Sequence, residues 1–141
     1  MIKLIIFDLD GVLVNSKQLH FDSLNYALSK VDRKYIISYE EHIGKYDGLS
    51  THKKLQLLTE CKQLPQSYHQ QVWNDKQNEA VEIINRFEKD ERLVAILEEL
   101  SKKYRLVCCT NSIRLTATLQ LKKKGILEFF EKIYTNEDVV N

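Results

Sequence analysis

Ile2-Lys3-Leu4-Ile5-Ile6-Phe7-Asp8-Leu9-Asp10-Gly11-Val12-Leu13 is the stretch on which the reading of this chain turns. Ile2 to Phe7 is a short, isoleucine-rich apolar run without clean alternation, which predicts a fully buried strand. Asp8 ends the run. In extended backbone, residues two apart point to the same side, so Asp8 and Asp10 converge at the carboxyl end of the strand. Ligands of open parallel sheets bind at that end. Two close carboxylates repel, which favours a bound cation or a raised pKa on one of them. One is then suited to nucleophilic attack and the other to acid–base work. A hard ion such as magnesium takes oxygen ligands and keeps water, leaving room for a phosphate. Gly11 permits a tight turn that brings backbone N–H groups up to that phosphate.

Beyond Ser16 the periodicity becomes helical. Leu24, Ala27, Leu28 and Val31 share one face, and the helix is expected to end around 32–34. Residues 35–48 are mixed, with Gly44 and Gly48 marking turns. Ser50 is placed to cap a helix carrying Leu55 and Leu58. Pro65 opens another helix, with a stripe of Tyr68, Val72, Ala80, Ile83, Ile84 and Phe87. Leu93, Ile96, Leu97 and Leu100 form a 3.6-residue stripe on the next. Arg105 to Cys109 reads as a second strand and Lys132 to Thr135 as a third. The helix between them runs from about Ile113 to Lys124, with Gly125 at its C′ position. Strands alternating with helices predict a parallel sheet with helical crossovers. The helical block after the first strand is longer than a crossover needs, which predicts a separate cap.

The second constellation is Thr110-Asn111-Ser112, between the second strand and a helix. A helix N-terminus offers free N–H groups to an anion, and Thr110 adds a hydroxyl. The simpler alternative is an ordinary N-cap at Ser112 or Asn111. For the first motif, the simpler alternative is a pair of solvated acids, and some nucleotide-sugar transferases carry a similar pair.

Together the two motifs resemble the haloacid dehalogenase (HAD) superfamily. The resemblance extends through Val12-Leu13-Val14-Asn15-Ser16, His20-Phe21, Gly125-Ile126-Leu127, Phe129-Phe130 and Thr135-Asn136-Glu137-Asp138-Val139. These segments look like the helical-cap subgroup that includes beta-phosphoglucomutase and many sugar-phosphate phosphatases. The resemblance implies an α/β fold: an incomplete Rossmann-like parallel sheet over 1–15 and 88–141, with a helical cap inserted over 16–87. It implies that Asp8 accepts the phosphoryl group and that Asp10 protonates the leaving oxygen and then activates water. It also implies that Asp8 and Asp10 hold Mg²⁺, the latter through its backbone carbonyl, and that Gly11, Thr110 and Asn111 hold the phosphate. Dehalogenation is not expected, because dehalogenases of the superfamily replace the second acid.

The same resemblance marks what to look for and not find. The family's third motif, a lysine, and its fourth, a pair of acids, normally lie beyond Asp138, whereas this sequence ends at Asn141. Glu137 and Asp138 end the third strand, two places from the first in the family's order and roughly 10 Å away, too far to share the ion with Asp8. Lys122, Lys123 and Lys124 sit late on their helix and read as a solvated face. The expectation is therefore a truncated, weak or inactive phosphatase that self-associates through an exposed first strand. Lesser substrate candidates are His20, Thr51 (where the mutase has an arginine), Lys76 and Arg114, each with a surface or packing role as its simpler account. Trp73 reads as a packing residue of the cap. Two other functions share the motifs: a phosphoglucomutase-like phosphoryl transferase, and a non-catalytic remnant that binds phosphate, metal or a protein.

Composition narrows the partners. A net charge of +1 gives no field for nucleic acid or an anionic membrane. The apolar run at the N-terminus is too short for a signal or membrane segment. Cys61, Cys108 and Cys109 form neither a disulfide framework nor a zinc pattern. The resemblance implies a small phosphorylated metabolite as partner, and the cysteine usage gives the cytoplasm as the expected compartment.

Overall fold

Leu4–Asp8 (β1), Arg105–Cys109 (β2) and Lys132–Tyr134 (β3) form one parallel sheet in the order β1-β2-β3 in the computed structural model, which describes residues 1–139. The last two residues of the stretch 88–141 lie outside the described residues. Register runs from Leu4↔Arg105 to Asp8↔Cys109, and from Val107↔Lys132 to Cys109↔Tyr134. The third strand is thus two places from the first, as the family order implied.

Side chains alternate across a strand, and this register sorts them cleanly. Ile5, Phe7, Leu106, Cys108 and Ile133 fall on one face and pack with Leu97, Ala117, Leu121 and Ile126 into a single apolar core. Leu4, Ile6, Val107, Cys109 and Tyr134 fall on the other. There Ile6 remains 60% exposed and Leu4 41% exposed. The expectation that β1 is fully buried is therefore corrected. Among the described residues β1 pairs only with β2, and its alternate side chains Ile5 and Phe7 pack on the core while only half-buried.

Helix Glu91–Ser101 (α5) starts where Asp90, as N-cap, accepts a bond from the Leu93 N–H. Its apolar face is narrower than the stripe suggested: Leu97 is buried, Leu93 and Leu100 half-buried, and Ile96 exposed. Helix Arg114–Lys123 (α6) joins β2 to β3. It ends at Gly125, whose φ of +77° is the left-handed conformation that glycine adopts without strain.

The described residues divide into two compact units, one made of 1–16 with 84–141 and one of 17–83. The second contains helices Lys17–Val31 (α1), Thr51–Lys62 (α3) and His69–Asn85 (α4), and between α1 and α3 a short helix Tyr39–Glu41 (α2) that passes into a π-turn, His42–Tyr46. Ser50 caps α3 as its sequence indicated, accepting from the Lys53 N–H. Pro65 precedes a 3₁₀ turn, Gln66–Tyr68, rather than the α-helix itself, which leaves Tyr68 exposed. This unit has its own core of Leu24, Ala27, Leu28, Ile37, Tyr46, Leu55, Leu58, Leu64 and Val72, with Trp73 packed against it.

Candidate active site

The chain turns back on itself directly after β1. Leu9, Leu13 and Val14 are buried in the core of the first unit. The Leu9 carbonyl accepts the N–H groups of Leu13 and Val14 at 3.1 and 3.0 Å, and Gly11 donates to the Val14 carbonyl at 2.8 Å. Gly11 makes this fold-back with φ +78°, in the left-handed region where a side chain brings strain. The apolar residues anchor the loop inward. Asp8, Gly11 and Val12 are left exposed and Asp10 half-buried at the carboxyl ends of the strands.

Asp10 is the hub of this end of the sheet. One carboxylate oxygen accepts from the Ser16 hydroxyl in a very short contact. The other accepts from the hydroxyls of Thr110 at 3.1 Å and Ser112 at 3.3 Å. Thr110 also accepts the Ser112 N–H at 3.1 Å, so one hydroxyl ties the loop after β2 to the loop after β1. Its own N–H donates to the Tyr134 carbonyl at 2.9 Å, which fixes it against β3. Asp8 is in register with Cys109, next to Thr110. Burial pushes the Cys108 thiol up to about 12, and the nearby negative charges of Asp8 and Asp10 add to the rise. Burial of that thiol thus favours its protonated form, which is a poor nucleophile.

The ordinary N-cap reading of 110–112 is not what the chain adopts. The N-cap of α6 is Ile113, which supplies no side-chain acceptor. The Ser112 hydroxyl turns to Asp10 instead, while the first helical N–H, that of Arg114, donates to the Glu137 carboxylate. Asn111 is exposed at the tip of the loop.

The Arg114 guanidinium is held by the Asp138 carboxylate and the Ile133 carbonyl. Asp138 also accepts the Thr135 N–H, which with Arg114 holds its carboxyl below the usual range. Glu137 and Asp138 are thus engaged around β3 and the start of α6. His20, Thr51 and Lys76 belong to the second unit. There Lys76 is buried, and the neighbouring Gln77 amide lies 3.5 Å from the Thr51 hydroxyl. Ser16 and Ser112 are the partners that sequence reasoning did not assign. Ser16 is fully buried six residues beyond Asp10, and only the fold-back brings them together.

The fit of a metal ion can be judged from the donors. The Asp8 carboxylate and the Asp10 carbonyl are hard oxygen ligands of the kind magnesium takes while keeping water and phosphate oxygens. Among the described residues no group of three His, Cys, Asp or Glu side chains converges on a metal position. The donor chemistry fits magnesium, as a partial set. Among the same residues, no helix is long and apolar enough to cross a membrane.

Comparison with known proteins agrees with this geometry. The chain is 30% identical over 142 residues to pyrophosphatase PpaX of Bacillus cereus (strain Q1), an alignment covering 98% of this chain and 61% of the relative. Its fold matches that of a predicted phosphoglycolate phosphatase from Haemophilus somnus, with a TM-score of 0.81 at 21% identity over 99% of this chain and 65% of the other. It also matches beta-phosphoglucomutase from Clostridium difficile, with a TM-score of 0.77 at 22% identity over 100% of this chain and 65% of that one. The chain thus spans about three-fifths of the length of the curated relatives it matches. The model of the haloacid dehalogenase-like hydrolases matches residues 5–141. A parallel sheet with an aspartate pair after its first strand and a threonine after its second, matched by that model over nearly its whole length, belongs to the haloacid dehalogenase-like hydrolase family.

Proposed function

We propose that this chain carries a phosphoryl-transfer site that hydrolyses a small phosphate ester through an aspartyl-phosphate on Asp8. The observation that carries the reading is the position of Asp10, joined to Thr110 and Ser112 across the carboxyl ends of β1 and β2, beside an exposed Asp8. In this reading a carboxylate oxygen of Asp8 forms a bond to phosphorus as the ester P–O bond breaks. Asp10 delivers its proton to the departing oxygen, then takes one from the water that attacks the phosphoenzyme and frees Asp8. The Thr110 hydroxyl and backbone N–H groups near Gly11 and Asn111 would orient the phosphate oxygens. Magnesium held by the Asp8 carboxylate and the Asp10 carbonyl would offset the phosphate charge. His20, Thr51 and Lys76 are candidates for reading the rest of the substrate. Arg114 has first to leave Asp138 to take part.

The test is hydrolysis of an aryl phosphate with magnesium by the chain and by its Asp8→Asn variant. The variant is expected to lose roughly 10⁴-fold or more of the turnover. Equal rates in both would remove Asp8 from the mechanism. Isomerisation of a sugar phosphate without net phosphate release would identify a mutase-like transferase instead. Silence in both, with phosphate still bound, would favour a binding module.

A further inference from the structure

The second unit holds a polar group its packing leaves unserved. His42 opens the π-turn and is fully buried. Its ring lies against Phe21, with centroids 5.5 Å apart, and against Tyr39 at 6.3 Å. Among the described residues neither ring nitrogen has a hydrogen-bond partner. The charged and titratable groups around it come from three elements. His20 on α1 and Lys54 on α3 oppose a proton on the ring, whereas Asp47, just past the turn, favours one. Asp47 is paired with Lys17 at 3.5 Å. The Lys17 carbonyl faces the ring without reaching hydrogen-bond geometry. On the same element, Glu41 is engaged by the Ser38 N–H and Lys62.

We propose that His42 is an acid-sensitive latch: taking up a proton drives its ring out of the Phe21–Tyr39 pocket and opens the segment from Tyr39 to Tyr46. A buried imidazolium needs two acceptors; the ring faces one carbonyl, that of Lys17, short of hydrogen-bond geometry, and an Asp47 carboxylate already paired with the Lys17 ammonium. The segment itself is short: three helical residues and one π-turn, closed by the Asp47 N–H to the His42 carbonyl at 2.8 Å. Turns of this length are held by packing rather than by their own hydrogen bonds, so they open locally, without global unfolding. Because Glu41 lies in the opening segment, the Ser38–Glu41 capping box breaks with it, and Ser38 is the upstream limit. Downstream, the turn is joined through Asp47 to Gly48-Leu49-Ser50-Thr51, so opening would also loosen the chain that leads to Thr51, a substrate candidate. That last consequence rests on the role proposed for Thr51; the opening does not.

The direction with pH follows from burial. Desolvation, chiefly, and the Lys54 charge hold the His42 imidazole below its ordinary value. Above about pH 6.5 the ring is neutral both closed and open, and acidity has no leverage. Below that the open form binds the proton and the closed form does not. Stability of the closed segment is therefore present at higher pH and is lost as pH falls. One linked proton allows opening to rise by up to about tenfold per pH unit.

The experiment is NMR on the intact chain from about pH 8 to about pH 5, following imidazole titration and amide exchange corrected for its intrinsic rate. His42 is expected to titrate below the ordinary histidine range. The amides of 39–46 are expected to lose protection with acid in the wild type and in His20→Gln. In His42→Phe, whose ring suits the aromatic pocket, protection is expected to stay flat. His69, whose ring nitrogen bonds the Thr59 hydroxyl at 2.8 Å, is also held low by burial, and His69→Gln is expected to keep the acid response at 39–46. Flat protection in the wild type would overturn the proposal. So would acid sensitivity that survives His42→Phe or vanishes in His20→Gln. If His42→Phe does not fold, the wild-type titration decides: a His42 at or above its ordinary value refutes the latch.

Discussion

Asp10→Asn is expected to slow phosphate release by about 10²- to 10⁴-fold while the first half-reaction with an aryl phosphate remains measurable. An aryl oxide leaves with little help from an acid, so attack by Asp8 does not require the Asp10 proton. Breakdown of the aspartyl-phosphate requires a base for water, and asparagine supplies none. The phosphoenzyme should therefore accumulate, visible by mass spectrometry as a chain heavier by one phosphoryl group, and Asp8→Asn should show none. The substitution is structurally mild: an amide oxygen still accepts from hydroxyls, and three surround this position, those of Ser16, Thr110 and Ser112. Equal loss of both half-reactions would reduce Asp10 to a tie between the two loops.

Leu97→Ala is expected to lower the stability of the first unit by about 3 kcal/mol, within the range for buried leucines truncated to alanine. Leu97 is fully enclosed, and it is the buried side chain of α5 facing the Ile5, Phe7, Leu106 and Cys108 side of the sheet. With the opposite face of β1 open, that core holds the strand bearing Asp8 on one side only. Urea unfolding followed by circular dichroism measures the change. A loss under about 1 kcal/mol would mean that the neighbours close over the gap.

The elements built on local chemistry were legible in the sequence. The β2 run, the Ser50 cap and Gly125 beyond α6 depend on a few adjacent residues. The sequence put the Asp10 and Thr110 motifs at the carboxyl ends of two strands, and the two side chains meet there because strand ends follow from backbone geometry. What escaped depends on contacts distant in sequence. The exposure of β1 was expected from the family resemblance and not from its own composition, because it is set by how many strands pair with it. Ser16 and Ser112 are unremarkable serines until the fold-back and the loop after β2 aim both at one carboxylate. The π-turn at 42–46 has no sequence signal beyond Gly44 and Gly48, and of these only Gly48 takes a positive φ.

The register that pairs Leu4 with Arg105 has a consequence for the order of events as the chain is made. β1 is synthesised first, yet its partner follows only after all of 17–83, a contiguous unit with its own core. Local contacts form faster than distant ones, because closing a long loop costs entropy before any contact repays it. The inserted unit should therefore fold ahead of the sheet that precedes it in the chain, and its early folding replaces a floppy loop with a structured one. Trp73, the one tryptophan in the sequence, sits in that unit and reports on it alone. In refolding, its fluorescence should settle before the sheet's circular dichroism. Coincident phases would mean that the two units fold as one.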